Sequence, residues 1–306
     1  MQRNISSLHF IIFCSLILFH GCKPKEEDGH IKIVTTTSIL RDIVSNLVPS
    51  HIEVESLMGP GVDPHLYKAS QGDVKRLCQA DIIIYNGLHL EGKMGEVLNR
   101  LKRTKDVYAF AEIIDPADLR IIDSTNEFKD PHTWFNLNLT RLSIDELELE
   151  LIRILPQDST QILFKTQKYL EELQLTHEWC LSTIDSISPE NRILITSHDA
   201  FGYFGEAYNF EVRGLQGIST MAESGLKDVT DMVNFIIDNK VKAIFVENSV
   251  SQKALRSVME GCKRKGHAVE IGGELYSDAL GQDRTPEGTY LGMVKYNVQT
   301  ISDALK

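Results

Sequence analysis

Four short segments each set a metal-capable side chain in a loop that follows a strand-like run or precedes a helical one: "GPGVDPHLYKAS" with His65, "KDPHTWFN" with His132, "TSHDAFGYF" with His198 and "ELYSDALG" with Asp278. The first two share Asp-Pro-His, where proline stiffens the chain just ahead of the imidazole and fixes where it points. Taken singly each is a weak signal, because a lone loop histidine is more often solvated or hydrogen-bonded locally. Taken together they are stronger, since parallel α/β sheets gather ligands at the carboxyl ends of their strands and each half of the chain supplies two of these loops. Three imidazoles and a carboxylate suit Zn(II) or Mn(II) better than Ca(II) or Mg(II), and they lack the thiolates that Cu(I) prefers.

The third segment, "ITSHDAFGYFG", leaves three readings open: catalysis, metal binding or packing. As a catalytic pair, His198 and Asp199 are poorly placed, because adjacent residues after a strand rarely aim at each other and no Ser or Cys in a nucleophile-elbow context accompanies them. A zinc-dependent hydrolase built on the same His/Asp cluster is the alternative function; it needs an open coordination position and a general base, for which Glu247 in "IFVENS" is a candidate, but no H-E-x-x-H is present. As a metal segment, it makes His198 a ligand, Asp199 a hydrogen-bond support and Phe201, Tyr203 and Phe204 an apolar wall. Among the other histidines, His89 in "NGLHLEG" follows a strand and fits the start of a helix better than ligation.

The elements that must position these residues alternate. From His30, "IKIVTTT", "ILRDIVSNLV", "IEVESLM", "SQGDVKRLCQA", "DIIIYNG", "LEGKMGEVLNRLK" and "DVYAF" predict parallel strands with crossover helices, hence an α/β lobe over 31–157. The grammar repeats over 187–306 with "RILIT", "EVRGLQG", "LKDVTDMVNFIIDN", "VKAIFVE", "SQKALRSVMEGCKRKG" and "HAVEIGG". Ser70-x-x-Asp73 and Ser249-x-x-Gln252 read as helix starts, Gly266 as a helix stop, and Thr285-Pro286 as the cap and first turn of a last helix. Residues 158–186 contain neither Gly nor Pro, and Leu163, Leu170, Leu173, Cys180, Leu181, Ile184 and Ile187 keep roughly helical spacing. One helix of that length reaches about 40 Å and would join the lobes as a rigid strut; the alternative is two helices broken near Thr176.

The formal charge of −11 disfavours nucleic acid, which needs a basic stripe. Residues 1–21 read as a signal peptide, with Arg3 ahead of an apolar run, Leu8–Phe19, too short for a comfortable membrane span. Gly21-Cys22 then ends that run before a charged tether over 22–30, which resembles a bacterial lipoprotein cleavage box with Cys22 as the lipidated residue, although Phe19 and His20 stand where smaller residues are usual. A lipidated Cys22 would hold an otherwise soluble monomer at a membrane surface outside the cytoplasm. Cys78, Cys180 and Cys262 have no paired spacing and read as buried small hydrophobes.

"DPHLYKAS", "NGLHLEG", "DPHTWF", "TSHDAFGYFGEAYNFEVRGLQGIST" and "GGELYSDALG", in that order from Ile31 to the C-terminus, resemble the metal-binding solute receptors of bacterial ABC importers for zinc and manganese, solute-binding protein family 9, in particular its treponemal type. The resemblance implies two (β/α) lobes with parallel sheets joined by one long backbone helix, with a metal in the cleft between them. It implies ligands at His65, His132, His198 and Asp278, no enzymatic activity, and an ABC permease in the membrane as partner. Many members carry an acidic residue where Asn136 stands. Some zinc-selective members carry a His-rich loop before the second ligand, which "LRIIDSTNEFKD" is not, and manganese-selective members often present Glu in place of His198. On balance the expectation is Zn(II), with Mn(II) as the second candidate. Nothing in the sequence argues for cell adhesion.

Overall fold

Three consecutive isoleucines, Ile82, Ile83 and Ile84, lie in the middle of the first sheet, where covering helices on both faces leave no place for a polar side chain. The computed structural model describes residues 31–122 and 128–306, so the signal peptide, the tether and Cys22 lie outside the described residues. The strands β1 (Lys32–Thr35), β2 (Glu53–Ser56), β3 (Ile82–Tyr85) and β4 (Asp106–Ala109) form one parallel sheet in the order β2-β1-β3-β4. Helices α1 (Ser38–Leu47), α2 (Gln71–Gln79) and α3 (Gly95–Leu101) make the crossovers. Helix α2 starts as its sequence predicts: the Ser70 hydroxyl accepts from the Asp73 N–H at 3.2 Å, while the Asp73 carboxylate accepts from the Ser70 N–H at 2.8 Å.

In the second half, β5 (Ile193–His198) pairs in parallel with β6 (Glu211–Gln216), and β7 (Ala243–Glu247) with β8 (Glu270–Leu275). Helices α6 (Gly202–Tyr208), α7 (Leu226–Asp238) and α8 (Lys253–Arg264) connect them, and α9 (Tyr290–Leu305) closes the chain. Gly266 ends α8 in a left-handed conformation, φ 81°, as expected of a helix stop. Two predicted helix starts are corrected. Helix α8 begins after Gln252 without a side-chain cap, and the Ser249 hydroxyl instead meets the Ser277 hydroxyl at 3.0 Å. Thr285 and Pro286 open only a single 3₁₀ turn; the cap of α9 is Thr289, whose hydroxyl accepts from the Gly292 N–H.

Between the halves runs one uninterrupted helix, α5 (Ser159–Ile184), with no break at Thr176. Its buried stripe is Ile162, Thr166, Tyr169, Leu173, Thr176, Cys180 and Ile184. Leu163 and Leu181, which the spacing also assigned to the apolar face, are half exposed, because the true stripe is offset from them by one residue. Helix α4 (Leu137–Ile154) has no counterpart in the sequence pattern. Its "DELELEL" alternates with the period of a strand, yet Ile144, Leu147 and Leu151 face the core on helical spacing while Leu149 points out. A single apolar cluster contains Ile33 and Ile84 of the first sheet, Leu173 and Ile184 of α5, and Phe245 and Leu275 of the second half. The halves therefore share a core through α5.

That core makes a direct prediction. Leu173 is 2% exposed and Leu175, two residues along the same helix, 64%. Leu173→Ala should destabilise the protein by about 2–5 kcal/mol, whereas Leu175→Ala should stay within about 0.5 kcal/mol of wild type. Urea unfolding of the two variants measures the difference.

Candidate metal centre

Each candidate side chain arrives at the end of a strand or in the loop beyond it; local sequence explains how the two Asp-Pro-His histidines are held, while partners distant in sequence hold His198 and the Asp278 segment. In both Asp-Pro-His segments the aspartate accepts the backbone N–H of the histidine two residues on, Asp63 from His65 at 2.8 Å and Asp130 from His132 at 3.0 Å. The copies then diverge. Asp130 Oδ1 also holds the His132 ring through Nδ1 at 2.7 Å, whereas the other oxygen of Asp63 accepts the Thr220 hydroxyl of the second half at 2.6 Å. His198 ends β5 and Glu247 ends the neighbouring strand β7; one carboxylate oxygen takes the His198 N–H at 2.9 Å and the other faces Nδ1 at 2.6 Å. The turn after His198 folds back tightly over β6, where Gly214 faces it: a Cβ there would fall 2.3 Å from the Asp199 nitrogen. Asp278 lies just past β8, and the preceding carbonyl, that of Ser277, accepts the Trp134 indole N–H at 3.0 Å.

These anchors bring all four predicted residues together, buried, with one donor atom from each inside 4.8 Å of the others. His65 Nε2 lies 3.3 Å from His132 Nε2, His132 Nε2 lies 3.5 Å from Asp278 Oδ1, and His198 Nε2 lies 3.4 Å from Asp278 Oδ2. A tetrahedron with metal–nitrogen bonds of 2.0–2.1 Å has edges of about 3.3–3.4 Å, the size of the His65–His132 and His198–Asp278 separations; the His132–Asp278 separation is a little longer and runs to the other Asp278 oxygen. Because a carboxylate only accepts, Asp130 and Glu247 each accept the Nδ1–H of their ring, which turns Nε2 of both rings toward the cluster. His198 Nε2 and both Asp278 oxygens receive no hydrogen bond among the described residues. Buried polar atoms of this kind call for a partner, and a carboxylate with open lone pairs beside imidazole nitrogens calls for a cation.

The electrostatics of the cluster are unequal. Burial pushes His65 down to about 3, so its ring is neutral at physiological pH. Burial also opposes a charge on His198, but the Glu247 and Asp278 carboxylates outweigh it and hold that ring well above the usual histidine range. Burial would raise Asp278; the His198 ring, with His132 and His65 behind it, keeps it well below the usual carboxylate range instead.

Several expectations change. The carboxylate that holds the His198 ring is Glu247, not Asp199, because the partner comes from the adjacent strand end rather than the next residue. With both oxygens committed to His198, Glu247 is not a free general base for a hydrolase. Phe201 stacks on Phe135 at 4.3 Å, Phe204 packs on Tyr208 and Phe210, and the Tyr203 hydroxyl donates to the Asp130 carbonyl; the aromatic ring beside His132 is Trp134, at 5.2 Å. Asn136, at the position where an acidic residue is common, caps α4 by accepting the Asn138 N–H. His89 sits at φ 65° against Phe128, outside the cluster. Asp130, Trp134 and Asp63 were missed as positioning groups, although the repeated Asp-Pro-His already carried two of them.

Comparison with known proteins places this arrangement. The profile of the family described as "ZnuA: Zinc-uptake complex component A periplasmic" matches residues 33–304. The chain is 46% identical over 282 residues to the manganese-binding lipoprotein MntA of Bacillus subtilis, covering 92% of each protein. It is 43% identical over 285 residues to the zinc-binding protein TroA of Treponema pallidum, covering 93% of this chain and 92% of the relative. The solved structure of that periplasmic zinc-binding protein superposes with a TM-score of 0.88 at 42% identity, over 90% of this chain and 99% of the other.

The carboxylate pairing of His198 can be read without any metal. Glu247→Gln removes a negative charge that favours the protonated ring, so the His198 pKa should fall. Titrating the imidazole by ¹⁵N NMR in metal-free protein measures the shift; an unchanged pKa would mean that Glu247 does not control this ring.

Proposed function

Because the chain belongs to the ZnuA family of periplasmic metal-uptake components, we propose that it is an extracytoplasmic receptor that captures a divalent transition metal and delivers it to the permease of an ABC importer. The observation that carries this reading is the cluster of inward-facing, unpartnered donor atoms on His198 and Asp278 beside His65 and His132. These four residues are the ligands. Residues 31–157 and 187–306 act as two lobes around the ion, with the helix over 158–186 as strut. The relatives named as lipoproteins support an anchor, which Cys22 would supply to a monomeric receptor. No described helix is long and apolar enough to cross a membrane.

Among ions, the reading favours Zn(II) with Mn(II) as the second cargo. Three nitrogen donors suit the softer ion, and Zn(II) stands above Mn(II) in the general order of affinities for such sites. Competition between the two ions, after metal analysis of protein purified without added metal, tests this directly. His198→Glu supplies a harder oxygen donor and should move the preference toward Mn(II).

The charge on His198 sets the pH dependence. In the metal-free protein the Glu247 and Asp278 carboxylates favour the protonated ring, and an ion that takes Nε2 must displace that proton, whereas burial keeps His65 neutral. Binding should therefore release a proton from His198, and affinity should weaken as the pH falls below the His198 pKa. Calorimetry in buffers of different ionisation enthalpy counts the proton.

The ligand roles should separate on mutation. His198→Ala should lower affinity by orders of magnitude and abolish most of the metal-induced rise in melting temperature, while Glu247→Ala should cost roughly 10 to 100-fold. Thermal melts with and without Zn(II) report both; full stabilisation of His198→Ala would remove His198 from the ligand set.

A further inference from the structure

Arg120 stands outside the four-residue cluster, yet its bonds run to both sides of it. Its Nη1 donates to Asp130 Oδ2 at 2.7 Å, the carboxylate oxygen that the His132 ring does not use. Its Nε lies 2.9 Å from Glu206 Oε1 on α6, in the other half of the chain. Its backbone N–H donates to the Tyr203 hydroxyl at 3.0 Å, and that hydroxyl donates on to the Asp130 carbonyl at 3.1 Å. The Asp130 N–H returns to the Arg120 carbonyl at 3.0 Å. The guanidinium also lies against Gly202, the first residue of α6, so closely that a Cβ there would fall 1.0 Å from Nη1. Glycine is needed at 202 to admit this contact.

An exposed ion pair contributes little, and Arg120 with Glu206 alone would be one of those. Asp130 is different. Its side chain is 0% exposed, one oxygen orients a proposed ligand, and the other is held by Arg120, whose planar fork serves two partners at once. The helix on which Arg120 rests begins just past His198. A continuous path of contacts thus runs from His132 through Asp130 and Arg120 to α6 and back to His198, alongside the path through the ion.

We propose that Arg120 is a positioning residue, a brace that holds His132 and His198 at a fixed separation and thereby governs how fast the ion is released. The inference rests on the reading of the cluster as the metal site. Loosening the brace leaves all four donors present but lets Asp130, and His132 with it, relax away from the second half. The main effect belongs to release rather than capture, since the donors remain available to an incoming ion.

The test uses the full chain loaded with Co(II), whose ligand-field absorption reports donor geometry, and with Zn(II), whose release is followed by chelator capture. Arg120→Ala should alter the Co(II) bands and speed Zn(II) release roughly tenfold or more, the scale of an outer hydrogen-bonding partner. Arg120→Lys, which restores the charge on Asp130 but not the fork, should recover only part. Glu206→Gln lies on an exposed side chain and reads the same tie by a smaller acceleration if Arg120→Ala does not fold. Bands and release rates unchanged in every variant, even with a lowered melting temperature, would reduce Arg120 to packing and overturn the brace alone. A wild-type protein that takes up no Co(II) would overturn the site and the brace together.

Discussion

The structure turns on a buried carboxylate that no hydrogen bond satisfies. Asp278 is 1% exposed, its two oxygens receive no donor among the described residues, and three imidazoles surround it. An uncompensated charge at such a place costs several kcal/mol. Two things can offset it: a proton on His198 or a cation among the four donors. A proton on His198 and a cation among the four donors would therefore compete for the same place beside Asp278. The His198 ring also explains why Asp278 stays ionised despite burial, which acts in the opposite direction.

Such a cluster survives only if the surrounding chain prevents its members from drifting apart to find water. The donors come from four separate segments, and the bonds that hold those segments cross between the halves: Asp63 to Thr220, Trp134 to Ser277, the Leu280 N–H to the Ser38 hydroxyl, and the Tyr290 N–H to Asp42. Beneath them, α5 carries one apolar stripe into a core that both halves share. A core common to both halves resists their opening about a flexible hinge. If the cluster takes up an ion as proposed, movement on loading should fall mainly on the loops that carry the donors.

Much of this was legible in the sequence because it follows from periodicity and from local chemistry. Strand–helix alternation foretold parallel sheets, a Gly-free and Pro-free stretch foretold α5, and a proline before each of two histidines marked side chains with a fixed aim. What was not legible depends on which strand ends become neighbours. Glu247 is far from His198 in sequence and adjacent to it only because β5 and β7 end side by side, so the tempting partner was the next residue, Asp199. Helix α4 was hidden by an alternating Glu-Leu run whose period is that of a strand. Ser249 looked like a cap until the loop bearing Ser277 claimed its hydroxyl.

The two relatives of nearly equal identity, one named for manganese and one for zinc, sharpen what the donor set can and cannot decide. A His₃Asp shell of this composition binds Zn(II) more strongly than Mn(II) by the general order of affinities, whatever a cell requires of it. Discrimination between ions by such a site must then come from how far the shell can spread, because a stiff tetrahedral set favours the ion content with four donors and a yielding one admits an ion that prefers more. In this chain the spread is limited where rings and carboxylates are tied off: His198 to Glu247, His132 to Asp130, and the Asp278 loop to Trp134. His65 is tied by its backbone to Asp63, which reaches across to Thr220 in the second half, and its ring carries no charge at neutral pH. If these four residues hold an ion as proposed, the first Asp-Pro-His is the softest corner of the shell, since its aspartate fixes the loop rather than the ring, and a change in coordination number would begin there at the lowest cost.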